Sequence, residues 1–293
     1  MIQHYLQKLY DSTPRQIAEY IRSKLSKQEE KENLSIAKLP CIFVLSTGRV
    51  GTQTVSALMN LCSNFIAYHE PSPKLYGLSK LAYNKYIKNQ NFDLFKEAFF
   101  IARRELLNYS LKTGKGYAET SPQTTFLAPV ILELLPNVRF IHLVRDPRNV
   151  VRSGMNRCWY DGHPADPTRI IPPPDTEAGQ QWESYNSFQK NLWLWTETNK
   201  WILVFSSTLP SEKIILIPSE NIFGAHPETL KKFFNFTGSP VPPQQKLLRV
   251  LRKKLNVQKT GSFPEPKSWP EIMQRNLVKI TGETAKTLGY NIE

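Results

Sequence analysis

The chain has little cysteine, a shortage of acid, and no long apolar run. Its three cysteines, Cys41, Cys62 and Cys158, are scattered, which excludes a disulfide framework and gives no metal-ligand spacing. The longest apolar stretches, such as Cys41 to Leu45, are of strand length. None approaches the ~20 residues needed to cross a bilayer. The first sixteen residues contain neither an apolar signal core nor a small-residue cleavage site, so the sequence predicts a cytoplasmic protein with no membrane partner. Asp and Glu total 25 against 38 Lys and Arg, a formal charge of +13. Such an excess fits an anionic ligand, an acidic partner or nucleic acid. Much of it lies in short mixed runs, Lys8 to Lys38 and Arg249 to Lys254, which equally suit solvated helix faces. No basic repeat interleaved with aromatics is present, so no nucleic-acid partner is expected.

With 293 residues, 40% of them hydrophobic, the chain can bury a full core as one α/β domain. Residues 1–38 are polar, with Ile17, Ile21 and Leu25 at helical spacing, and read as a helical appendage to a domain spanning 39–293. Strands are expected at Cys41–Leu45, Asn64–Tyr68, Gly116–Glu119, Val138–Val144 and Lys213–Ile217. Helices are expected at Thr52–Leu61, twice within 78–111, at Phe126–Leu135, from Pro147, and at Trp182–Phe205. This alternation predicts a central parallel sheet of about four or five strands flanked by helices. The stripe Tyr185, Phe188, Leu192 and Trp195 reads as core. Residues 158–180, rich in proline, are too long for an ordinary connection and read as a mobile or functional loop, an acceptor gate.

Two motifs carry chemistry. The turn Gly48-Arg49-Val50-Gly51-Thr52-Gln53-Thr54 joins a strand to a helix. Its glycines allow close backbone approach to a phosphate, and the helix N-terminus favours negative charge. The Walker lysine is missing, which counts against a nucleotide-dependent kinase. A tight turn with an exposed arginine is the plainer alternative. In the second motif Arg145 ends a buried strand, Asp146 and Pro147 open a helix, and Ser153 follows eight residues after Arg145. Arginine and serine so placed can converge on one phosphate. Alternatively, Arg145 pairs with a carboxylate and Ser153 faces solvent. Both motifs sit at carboxyl ends of parallel strands, where ligands of open α/β sheets bind. A nucleotide with 5′- and 3′-phosphates would fill them.

With these motifs the sequence resembles the sulfotransferases that use 3′-phosphoadenosine 5′-phosphosulfate (PAPS), a family with a P-loop-like fold. The resemblance covers about residues 40–290 and includes His69-Glu70-Pro71, Ala118 to Pro122 and Lys259 to Trp269. It implies that Arg49, Val50, Gly51, Thr52, Gln53 and Thr54 hold the 5′-phosphosulfate. It further implies that Arg145 and Ser153 recognise the 3′-phosphate and that the stretch from Lys259 closes over the nucleotide. Val50 departs from the family's usual serine. The product nucleotide would be 3′-phosphoadenosine 5′-phosphate (PAP), with no metal required. Either His69 or Glu70 can act as the base for a hydroxyl acceptor. The family's later histidine is absent from Glu119-Thr120-Ser121, which favours Glu70, with His163 the next candidate. Glu220 reads as structural. The expected acceptor is a small metabolite or carbohydrate bearing a hydroxyl or amine. A kinase and a non-catalytic basic nucleic-acid-binding protein remain as alternatives.

Overall fold

The computed structural model describes residues 34–87, 93–253 and 261–292. Most of the anticipated appendage, and Lys259, lie outside them. Five strands form one sheet: β1 Cys41–Leu45, β2 Phe65–Tyr68, β3 Gly116–Glu119, β4 Val138–Val144 and β5 Ile214–Pro218. Their order is β2-β3-β1-β4-β5, and all pairings are parallel. The first, third and fourth coincide with the expected ranges. β1 and β4 sit in the middle as almost unbroken apolar runs, because helices cover both their faces.

The twofold periodicity of the strands divides the core. Ile42, Val44, Ile141 and Leu143 face one layer, while Phe43, Leu45, Val138 and Phe140 face the other. Helices α1 (Thr52–Met59) and α5 (Pro147–Met155) contribute to the first layer. Helices α2 (Tyr76–Ile87), α3 (Asp93–Lys112) and α4 (Ala128–Leu134) contribute to the second. Helix α6 (Ser187–Ser207) serves both, through Phe188, Leu192 and Trp195 on one side and Trp193, Trp201 and Phe205 on the other. It starts later than the sequence indicates. Asn186 and Gln189 form a capping box there, so Trp182 and Tyr185 lie in the preceding turn and Tyr185 leaves the stripe. Helices α7 (Pro227–Thr237), α8 (Gln244–Leu251) and α9 (Glu271–Thr287) complete the first layer. Ile36 and Leu39, just before β1, are buried in the second layer. No helix among the described residues is long and apolar enough to cross a membrane.

Two buried polar groups stand out. Arg103 of α3 and Glu119 at the end of β3 are fully buried and paired at 2.7 and 2.9 Å through Nε and Nη2. The Tyr117 hydroxyl also donates to Glu119, and Arg103 Nη1 donates to the Pro73 carbonyl at 2.9 Å. Burial pulls the guanidinium's pKa down, but hydrogen bonding to Glu119 leaves it raised. In β4, His142 Nε2 donates to Asn199 Oδ1 at 2.8 Å. Burial lowers the His142 pKa from 6.5 to about 4.

Each group yields an expected outcome. Arg103→Leu strands a buried carboxylate and should cost about 3–5 kcal/mol of stability in urea unfolding. A loss below about 1 kcal/mol would mean that water reaches Glu119. For His142, the unfolded chain binds a proton that the folded chain refuses between pH 6.5 and about 4. Its contribution is therefore complete above pH 6.5 and declines on acidification by about 1.4 kcal/mol per pH unit. Unfolding curves at pH 7 and pH 5 should show this component in the native protein and not in His142→Gln.

Candidate functional site

The sheet is parallel, so the carboxyl ends of all five strands open on one edge. After β1 the chain makes a left-handed turn, with positive φ at Gly48 (82°), Arg49 (60°) and Gly51 (92°). Glycine tolerates this geometry and arginine does so only at a cost. The turn is pinned from several sides. Ser46 exchanges hydrogen bonds with the Thr125 hydroxyl, and its own hydroxyl accepts from Gly48 N. Helix α1 follows with no side-chain cap, which leaves its first backbone N–H groups open. A Cβ on Gly51 would lie 2.4 Å from the Phe223 ring, so the close approach requires glycine. Val50 points into the core and is 1% exposed, so only its backbone takes part in the turn. Thr52 and Thr54 are buried on the same turn and Gln53 is half-buried.

The second motif meets the first directly. Arg49 Nε donates to Ser153 Oγ at 2.9 Å, and Arg145 Nη1 donates to the Arg49 carbonyl at 3.1 Å. Asp146 caps α5 by accepting from Arg148 N at 2.8 Å, which orients the helix that carries Ser153. Glu220 accepts from Asp146 N and from the Tyr290 hydroxyl, so it braces the strand end. The Trp195 indole donates to the Arg145 carbonyl. Burial lowers the pKa of Arg145, against the pull of Glu220 and Asp146. Burial, followed by the charges of Arg157 and Arg145, lowers that of Arg49 to about 10. The clustered cations thus repel one another where an anion would relieve them.

A cavity of about 270 Å³ opens beside Arg49. His69 and Glu70, after β2, line it. His69 Nδ1 donates to the Thr120 carbonyl at 2.9 Å, which leaves Nε2 unprotonated when the ring is neutral. That nitrogen lies 4.0 Å from Glu70 Oε1. Lys74 and the Tyr76 hydroxyl hold Oε2, each at 3.3 Å. Glu70 also has positive φ, 46°. Of the five non-glycine residues with positive φ among the described residues, Arg49, Glu70, Cys158 and Tyr160 lie at or beside this cavity. Strain concentrated in this way is typical of functional sites.

The loop 158–180 forms one wall and is well tied. Asp166 accepts from Tyr160 N, His163 N and Arg169 Nε, and the Arg169 guanidinium lies 4.0 Å over the Trp159 ring. His163 lines the cavity. From the C-terminal stretch, Phe263 N donates to Asn156 Oδ1, and Glu265 pairs with Arg152 on the Ser153 helix. The structure therefore brings together Arg49, Gly51, Thr52, Arg145, Ser153, His69 and Glu70. Sequence reasoning missed Tyr76, Gln123, Arg157 and Arg169, which also line the cavity or brace its groups. Tyr76 and Gln123 follow closely on the two motifs His69-Glu70-Pro71 and Ala118 to Pro122, and that proximity was their only signal.

Comparison with known proteins bears on the family and the fold. The profile described as the sulfotransferase family matches residues 40–243. No curated sequence matches the chain. Among solved structures, sulfotransferase STF9 from Mycobacterium avium is similar with a TM-score of 0.56 and 12% identity, over 92% of this chain and 81% of its own. The sulfotransferase domain from the curacin biosynthetic pathway gives 0.50 and 17% identity, over 87% of this chain and 100% of its own. These structural likenesses bear on the fold. The profile match covers more than half of the sequence, and the chain belongs to the sulfotransferase family.

Proposed function

We propose that the protein transfers the sulfuryl group of PAPS to a hydroxyl of a small acceptor, releasing PAP. The observation that carries this reading is the joint between the two anion-binding motifs: Arg49 bonded to Ser153, and Arg145 bonded to the Arg49 carbonyl. Two basic sites are thereby locked together beside a cavity of small-molecule size that holds a carboxylate and an imidazole.

PAPS, when bound, supplies an activated sulfuryl group on a good leaving group. The open N–H groups at the start of α1 and the Arg49 guanidinium suit its phosphosulfate. Arg145 suits the 3′-phosphate. Ser153 can serve both sites, because its oxygen accepts from Arg49 while its hydrogen remains free to donate. Arg49 offsets the charge that grows on the departing oxygen, so the protein acts mainly through position and charge. Glu70 takes the acceptor proton. Its held Oε2 fixes the carboxylate, and Oε1 lies 4.0 Å from His69 Nε2. A second reading gives this step to His69, favoured by its bond to Thr120, which aims an unprotonated Nε2 at the same space.

Calorimetry with PAP and with adenosine 5′-phosphate tests the donor assignment. Arg145→Ala should weaken PAP by roughly 2–4 kcal/mol, the cost of a lost charge partner. It should barely affect the nucleotide that lacks the 3′-phosphate. Equal losses would remove Arg145 from 3′-phosphate recognition. For the base, Glu70→Gln should slow turnover of a hydroxyl acceptor by about 10²–10⁴-fold with PAP affinity retained. His69→Gln should cost much less, and the reverse ranking would give the step to His69.

A further inference from the structure

Among its charged side chains the cavity is mostly cationic, set between hydroxyl-bearing and apolar residues. Arg49, Lys80, Arg157 and Arg169 line the chamber, and Glu70 is its carboxylate. Among the described residues, counting the flanking partners Lys74 and Asp166, five cations stand against two carboxylates. Arg49 belongs to the donor turn through Ser153. The other three lie on α2 and on the segment around the loop. Lys80 Nζ donates to the Pro167 carbonyl at 2.9 Å, so α2 and the loop meet at this wall. Arg169 is clamped flat on Trp159 and bonded to Asp166, which fixes its planar fork before any ligand arrives.

One neutral group on the loop side of the cavity is also a donor. Ala165 N donates to His163 Nδ1, so the other ring nitrogen carries the hydrogen and is a donor. Burial, then the charge of Arg169, lowers the pKa of His163. Gln123 is 2% exposed, and its Oε1 accepts from Leu75 N. Its Nε2 is buried and interacts with the Tyr76 hydroxyl without a well-aligned hydrogen bond.

From this one-sided wall we infer that the acceptor carries an oxyanion, a carboxylate or a phosphate or sulfate ester, in addition to the hydroxyl that is sulfated. Arg157 and Lys80 hold that group at the wall of α2 and the loop, and the hydroxyl then lies toward Glu70. A neutral sugar or simple phenol would leave the cations mutually repelling. This inference rests on the reading of the cavity as the acceptor chamber, so its test separates the two.

The probes are matched pairs: 4-hydroxyphenylacetate with its primary amide, glucuronate with glucuronamide, and N-acetylglucosamine 6-phosphate with N-acetylglucosamine. Binding is measured by calorimetry to the full chain, with and without saturating PAP. The anionic member should bind roughly tenfold more tightly, the worth of about one charge-assisted hydrogen bond. The gap should narrow as salt is raised. The carboxylate and phosphate arms show which oxyanion the wall prefers. In the double variant Arg157→Gln, Lys80→Gln the gap should close while PAP affinity stays within about twofold. Arg169 is left unchanged because it also holds the loop. Equal or tighter binding of the neutral members overturns the inference, as does the absence of any anion binding. An equal loss of PAP and anion binding in the double variant assigns these cations to the donor and likewise overturns it. Failure of PAP to bind the unmodified protein would instead defeat the proposed function.

Discussion

Much of the site's geometry depends on one buried ion pair. Arg103 and Glu119 are fully out of water, and neither could be there alone. Their bond joins helix α3 to the last residue of β3. Because Arg103 also reaches the Pro73 carbonyl, the same side chain holds the segment that follows Glu70. The next residue, Thr120, accepts from His69. Both candidate proton acceptors are therefore positioned from one buried guanidinium. A pair of apolar residues could fill that volume at less desolvation cost, but it could not bond to strand end and loop together.

The donor side is held by a different device. Arg49 adopts a backbone conformation unfavourable for a non-glycine residue, and the structure compensates from two directions. Arg145 holds its carbonyl and Ser153 its side chain. Both partners come from the end of β4 and the helix after it, the neighbouring strand in the sheet. The parallel register makes this possible, since Leu45 and His142 are level and the two strands release their chains at nearly the same height. The two motifs, far apart in sequence, thus form one bonded unit.

Much of this was legible from sequence, for physical reasons. β1, β3 and β4 are buried runs bounded by turn residues, so their limits are sharp. Arg145, Asp146, Pro147 and Ser153 carry local signals: a strand end, an N-cap, a proline at the first helical turn, and spacing along one helix. The start of α6 was misread because aromatic residues continue upstream of it, whereas the Asn186–Gln189 capping box decides where the helix begins. The cationic wall was hidden for a deeper reason. Arg157, Arg169 and Lys80 are ordinary surface residues in sequence, and only the fold of the loop onto α2 turns them toward one space. The Asp166 network that shapes this loop joins Tyr160, His163 and Arg169, a pattern with no regular period to read.

Val50 shows how the fold decides what a departure from a family pattern means. Read in sequence, valine in place of serine is a missing hydroxyl at the phosphate turn. In the structure the left-handed residues on either side direct this side chain inward, against the cluster that includes Val55 and Leu58. A hydroxyl in that direction would need a partner that the apolar cluster does not offer, at about 1–3 kcal/mol if it found none. Valine instead contributes burial worth about 1.5–3 kcal/mol to the turn itself. The groups proposed to meet an anion at this turn are the backbone and Arg49, and neither depends on the side chain at position 50. Valine at position 50 therefore stabilises the packing of the turn, and the turn's backbone and Arg49 stay available to the proposed anion.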